Sequence, residues 1–450
     1  MQGDFYKFAF EFKNMTKFYF PFTLSEMLRK FSNLVLQNPF LRSSSVVFGA
    51  NLLTGVCNYA LVIIAARALG DDYSIWTALT GLFAILTTFN NGFYTEVNKK
   101  FAAYAKQSRQ KALAFYDFLL TKARVFLIWG VVVAPVLGGF LWWLTQISAY
   151  PVYAVLVFSI FLGIYAGINR FFLIGLLHNF QFGIVTLVIG IARLTATYLL
   201  FEAGVGIWAL PLGLILSQIA AYLVAKIYIE RIRSATKNPT EVETSAKDEF
   251  TLLPHLIAST KSTVILFFLA LFLNLAPILS ERTLLLEERD LFAVLFNFGQ
   301  IIHFGSTAFT QAIIVHAARA KGNKIYYFSI GLMTALTSVI GGLFYFAGEF
   351  MLGLFGKSQY ADSLDLILYY SLFIVFYNVI FISVQYLLSH SKYRFLSTLP
   401  LFCAVLITVS FLATRTDEAL SNFILAQIIT GAVVGLSYVF YIVRGNNPQS

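Results

Sequence analysis

The chain has 450 residues, of which 58% are hydrophobic and only 12% charged, and its mean hydropathy is +0.75; a soluble domain usually carries about a quarter charged residues. Apolar runs fill nearly the whole length and leave no polar block large enough to fold by itself, which excludes a soluble enzyme and a nucleic-acid-binding domain despite the net charge of +10. The expected class is an all-α integral membrane protein. The two cysteines, Cys57 and Cys403, each lie inside an apolar run, so neither a disulfide framework nor a thiol metal site is readable.

The first 43 residues, "MQGDFYKFAFEFKNMTKF…", interrupt their aromatics with Lys7, Glu11 and Lys13. An uninterrupted apolar signal-peptide core would not do this, so no cleavage is expected. These residues fit a segment lying along the inner membrane surface, aromatics at headgroup level and lysines facing anionic lipid, with a partly disordered tail as the alternative.

About 20 mostly apolar residues cross the hydrocarbon core, and twelve such runs follow: 44–68, 74–98, 124–145, 150–177, 181–202, 206–229, 255–279, 290–316, 325–353, 365–389, 394–413 and 419–443. Lys and Arg are retained on the cytoplasmic side. With both termini inside, 25 of the 32 basic residues fall between spans or toward their ends on the cytoplasmic side and five on the outer side, leaving only Arg170 and Arg193 deeper within spans. An odd number of misplaced helices would scramble that alternation.

The longest polar interruption, "ERIRSATKNPTEVETSAKDEF", divides the chain six plus six: a lobe over 44–229, a cytoplasmic linker over 230–254, and a second lobe over 255–445. Both lobes follow one plan, with a span, an acidic outer turn ("LGDDY", "LEERD") and a polar-dotted span ending in basic residues. Like-oriented halves of this kind are parallel repeats with the substrate path between them.

Ionisable groups inside spans face the bundle interior or a wet cavity, because facing lipid costs at least ~2.5 kcal/mol. Arg193 lies in "FGIVTLVIGIARLTATYLLF", where Thr186, Gly190 and Thr197 share its helical face. From the helical rise, Arg193 sits ~18 Å and Arg170 ~10 Å above the inner boundary. Counter-charges are scarce: Glu96 lies near the inner end of span 2, and Glu202 nine residues beyond Arg193. The planar guanidinium suits phosphate, binding two oxygens at once. Against this stands a structural alternative, in which Arg193 snorkels or bonds helix carbonyls. Asn90, Asn91, Glu96, Thr197, Glu281, Arg282 and His303 are candidate cavity-lining or gating groups. His303 is expected as a neutral imidazole hydrogen-bonded across helices, with a proton-coupled gate as the alternative.

No P-loop, paired carboxylates or His/Cys cluster is present in a loop large enough for catalysis, so neither an enzyme nor a bound cofactor is expected. The short outer loops argue against a membrane glycosyltransferase.

The stretch "ARALGDDYSIWTALTGLFAILTTFNNGFYTEVNKKFAAYA" resembles the multidrug/oligosaccharidyl-lipid/polysaccharide (MOP) exporter superfamily, particularly its polysaccharide-flippase branch. Arg67, Leu69, Gly70, Tyr73, Gly92 and Lys99–Lys100 carry the likeness, Ser74 stands where Gly is usual, and Glu281–Arg282 stands where an Asp–Arg pair is frequent. The resemblance implies two lobes around a central cavity that opens alternately to either side. It also implies a polyprenyl-diphosphate-linked oligosaccharide as substrate, membrane lipids as surroundings, and a polysaccharide polymerase or glycosyltransferases as partners in the cell membrane. Arg193 and Arg170, with Arg67, are the cations expected to hold the diphosphate. The same fold also supports a cation-coupled multidrug (MATE-type) exporter, but that mechanism wants buried carboxylates where this chain buries cations.

Overall fold

Every apolar run is helical in the computed structural model, which describes residues 39–236, 253–317, 324–390, 392–416 and 418–444. Most of the 1–43 segment and of the 230–254 linker lie outside the described residues. The first half comprises α1 (Pro39–Leu69), α2 (Tyr73–Gln107), α3 (Arg109–Thr145), α4 (Tyr150–Gly175), α5 (Asn179–Glu202) and α6 (Ala209–Ser234). The second half comprises α7 (Leu253–Asn274), α8 (Ala276–Thr283), α9 (Leu286–Ala317), α10 (Lys324–Phe346) and α11 (Gly348–Phe355). It ends with α12 (Asp365–Ser389), α13 (Tyr393–Leu396), α14 (Leu399–Ala413) and α15 (Ala419–Arg444).

Among the described residues, nine helical stretches are long and apolar enough to cross a membrane, or ten if α7 and α8, bent by 42°, form one broken span. One of the nine, Gly49–Tyr94, is 46 residues long. At 1.5 Å per residue it would reach ~69 Å, over twice the hydrocarbon thickness. Gly70, at φ +55, breaks it into α1 and α2. The uncharged run of α9 from Leu291 onward adds the remaining crossing, giving twelve spans in two groups of six.

Between α2 and α3 the chain breaks only at Ser108, whose Oγ accepts the Lys111 amide at 3.0 Å as an N-cap. The basic stretch expected between spans 2 and 3 is therefore helix continued beyond the apolar run.

In the first lobe α1 lies against α5, α5 against α6, and α4 against α2, α3 and α6. In the second, α12 is flanked by α9, α10 and α15, and α14 packs on α15 and α7. The lobes meet chiefly where α2 runs along α7. Gly81 and Gly92 lie three turns apart on that face: a Cβ on Gly81 would come 2.8 Å from the Asn274 carbonyl oxygen, and one on Gly92 would overlap the Thr263 side chain.

Among the described residues, the buried core is continuous between the lobes at one end. There Ala65, Tyr73 and Trp76 of α1 and α2 join Phe292 and Phe296 of α9 and Phe355 of α11. At the other end, the first lobe has its own core, from Val97 and Phe101 to Ile229 and Ile232, which among the described residues includes none of the second lobe. The two lobes are thus packed against each other at the Gly70 end.

Candidate functional site

Arg170 of α4 and Arg193 of α5 line one cavity of about 160 Å³ within the first lobe, together with Thr87, Asn90, Asn91 and Tyr94 of α2 and Gln218 of α6. Small residues make the room. At Gly167 a Cβ would overlap the Tyr94 ring, so the phenol lies across α4 and donates to the Gly163 carbonyl at 2.6 Å. Asn90 Nδ2 reaches the Ile160 carbonyl at 3.4 Å.

The two arginines are held differently. The Arg170 guanidinium lies 4.9 Å from the Phe171 ring centre and 5.8 Å from that of Phe182, and Phe171 in turn stacks on Tyr94 at 4.1 Å. Aromatic faces hold the cation without neutralising it. Arg193 Nη1 donates to Asn58 Oδ1 of α1 across a long 3.4 Å. In both, Nε is buried without a partner.

Among the described residues, neither arginine forms an ion pair; the pairs found are Arg233 with Asp117 and Glu230, Arg289 with Glu281, and Lys357 with Asp290. A buried charge costs several kcal/mol unless something anionic or wet completes it. The donor set present, two guanidiniums with neutral amide and phenol groups beside them, is one whose chemistry suits an anion.

The structure therefore brings together Arg170, Arg193, Asn90 and Asn91, and places the other expected residues elsewhere. The Glu96 side chain lies outside what is described. Thr197 is buried against α6, where a Cβ on Gly213 would overlap its hydroxyl. The stripe expected to be wet instead packs in part on neighbouring helices: Thr186 offers its carbonyl to Thr54 Oγ1 at 3.1 Å, and Gly190 lies against Thr54. Arg67, expected with the cavity cations, sits at the Gly70 end, donating to the Leu354 and Gly353 carbonyls at 2.7 and 3.3 Å.

That end carries a second polar constellation. Lys357 Nζ bridges Asp290 Oδ2 at 2.7 Å and the Gly70 carbonyl at 3.0 Å, with both charged side chains buried. The Tyr360 hydroxyl donates to the same Asp290 oxygen at 2.8 Å, and burial and then that carboxylate push its phenol up, so it stays a donor. Asn297 Nδ2 reaches Tyr73 Oη at 2.8 Å and Thr77 Oγ1 at 3.1 Å. Arg282 donates to the Leu144 carbonyl at 2.8 Å, and Glu281 pairs with Arg289 at 2.9 Å. Arg67, Gly70, Tyr73, Thr77 and Leu144 belong to one lobe and their partners to the other, so these bonds latch the lobes together.

His303 takes neither position. Its Nδ1 meets Asn378 Oδ1 at 2.7 Å, and Asn378 Nδ2 donates to Thr337 Oγ1 at 2.9 Å, while Tyr377 and Phe381 pack edge-on against the ring. This is the imidazole bonded across helices α9, α10 and α12. Sequence reasoning missed Gln218, Tyr94 and the Lys357–Asp290 pair. Gln218 was visible as the one amide in "GLILSQIAAYLVA".

No protein-family profile matches the chain, and no curated protein is similar to it at a significant level. Solved structures are. An inward-facing multidrug resistance MATE family transporter of the MOP superfamily aligns with TM-score 0.70 and 10% identity over 90% of this chain and 100% of its own. An outward-facing one aligns with TM-score 0.63 and 12% identity, over 90% and 94%. A MOP superfamily transporter from Pyrococcus furiosus, for which reverse polarity of the binding pocket suggests a different function, aligns with TM-score 0.52 and 11% identity, over 89% and 95%. The chain is thus a multi-span membrane protein with the two-lobed fold of MOP-superfamily transporters, more particularly that of the MATE family.

Proposed function

We propose that this chain moves a lipid-linked, diphosphate-bearing oligosaccharide across the cell membrane by alternating access, for surface polysaccharide synthesis. The observation that supports this reading most is the pair of guanidiniums, each with a buried and unpartnered Nε, in one cavity with no carboxylate among its described lining residues. A diphosphate supplies the missing negative charge and can be gripped at both arginines, while Asn90, Asn91 and Gln218 offer amides to sugar hydroxyls. The lipid tail stays in or beside the bilayer. In this reading both termini are cytoplasmic, the Gly70 end faces outside, and the latched lobes leave the cavity open inward. Polymerase and glycosyltransferases are the natural partners.

The P. furiosus transporter adds support as a precedent for this fold with a pocket of reversed polarity. The MATE neighbours favour a second reading, export of cationic drugs, and buried arginines oppose it.

Complementation of a flippase-null strain tests the proposal. Arg193→Ala and Arg170→Ala should each reduce glycan export at least tenfold with normal membrane levels, and Arg193→Lys should retain partial function because charge survives while two-point geometry is lost. Full complementation by both alanine variants, or efflux of a cationic dye by the wild type in place of glycan export, would overturn it.

A further inference from the structure

The second lobe carries a cavity of about 460 Å³ at the end away from the latch, lined by Tyr386, Leu387, Lys392, Tyr393, Arg394, Tyr441 and Ile442. It lies where α12 ends and α13 begins, against the last turns of α15. Its walls are built: Tyr441 stacks on Phe395 at 4.3 Å, and Tyr386 packs between Tyr326 at 4.9 Å and His390 at 4.4 Å. The turn is fixed by the Lys392 amide donating to the Leu387 carbonyl at 2.9 Å.

None of the described lining residues is acidic. Beyond Asp365 the one described carboxylate side chain is Glu418, past the opposite end of α14, about 22 Å of helix away. Arg394 is exposed and forms no ion pair among the described residues. The niche is thus two-sided, with Lys392 and Arg394 at the rim and Leu387, Ile442 and aromatic faces within. Its volume is that of sites for drug-sized ligands, ~300–1,000 Å³, and exceeds what one inorganic phosphate fills. Basic pockets between helices at the inner membrane face take phospholipid head groups, and tyrosines favour that level.

We propose that this niche binds a phosphate-bearing anion, with Lys392 and Arg394 on the phosphate and the Tyr386/Tyr393/Tyr441 wall against the rest of the molecule, and that the resident is an anionic phospholipid head group of the inner leaflet. It is separate from the arginine cavity, which lies wholly in the other lobe.

Native mass spectrometry on the full chain in detergent tests this, titrating phosphatidylglycerol, phosphatidylcholine or inorganic phosphate. The wild type should bind phosphatidylglycerol about tenfold tighter than phosphatidylcholine. Lys392→Gln/Arg394→Gln, at sites tolerant of change, should lose that preference with unaltered thermal unfolding, whereas Arg170→Ala/Arg193→Ala should keep it. Phosphate that competes with the lipid but adds no stability alone confirms the head group; phosphate that saturates the site alone overturns the lipid assignment. Equal phosphatidylglycerol binding by wild type and Lys392→Gln/Arg394→Gln overturns the site itself.

Discussion

Arg170 and Arg193 share a cavity but differ in how firmly they are held. The stack from Tyr94 through Phe171 to Arg170 and Phe182 fixes one guanidinium, and cation–π contacts of this kind contribute ~0.5–2 kcal/mol. Phe182→Leu should therefore raise the apparent KM several-fold and leave kcat nearly unchanged, measured as flipping by proteoliposomes. Arg193 has only the long bond to Asn58. Asn58→Asp is nearly isosteric and supplies an internal counter-ion, so export should fall at least tenfold while the protein accumulates normally; full export by that variant would mean that Arg193 does not meet the anion. Sequence alone singled out both arginines because a charge in an apolar run has few explanations. It could not place Thr197, since helical spacing gives a face but not the neighbour, and here the neighbour is Gly213 of α6. Arg67 misled for a related reason: its motif marks the end of α1, and only the fold shows that α11 carbonyls lie opposite.

At the scale of elements, the α2–α7 seam is where the lobes meet, and where the proposed alternating access would turn them against each other. Gly81 faces a backbone oxygen that cannot rotate away. Gly81→Val should cost about 1–3 kcal/mol through overpacking and slow transport, read as a lowered Tm together with reduced complementation. Gly49, with open space about it, is the control at which alanine should be silent. The spans themselves were legible from hydropathy and from the placement of Lys and Arg, because apolar length and charge retention are properties of local sequence. The seam was not, because a glycine's use depends on what approaches it. The break between α7 and α8 stood between: Pro277 near the start of α8 marks a new helix, but its 42° bend needed the packed lobe.

At the scale of the molecule, opening the Gly70 end requires breaking Lys357 from Gly70 and Asn297 from Tyr73 and Thr77. Removing one member of a buried ion pair strands the other, at a cost of ~3–5 kcal/mol. Asp290→Asn should leave Lys357 seeking water and loosen the latch; Asp290→Leu/Lys357→Met removes both charges and should restore much of the folding stability but not the bond to Gly70. Each variant is combined with Thr77→Cys in a background with Cys57 and Cys403 replaced by Ser. Labelling by an impermeant maleimide from outside should rise several-fold over the latched protein. Unchanged labelling would mean that other contacts keep this end closed.

The confinement of both guanidiniums to one lobe has an electrical consequence. In the proposed alternating access, rocking of that lobe would expose its cavity first to one side of the membrane and then to the other, carrying its fixed charge through part of the transmembrane field. With a doubly charged head group bound, the moving site is neutral; empty, it carries two positive charges. A unit charge crossing the whole field exchanges ~2.3 kcal/mol per 100 mV, so an interior-negative potential draws the empty site inward and leaves the loaded step nearly indifferent. The membrane potential would then reset the carrier without acting on its cargo. Proteoliposomes held at imposed potassium diffusion potentials should show turnover rising with interior negativity, and binding of the lipid-linked sugar staying constant.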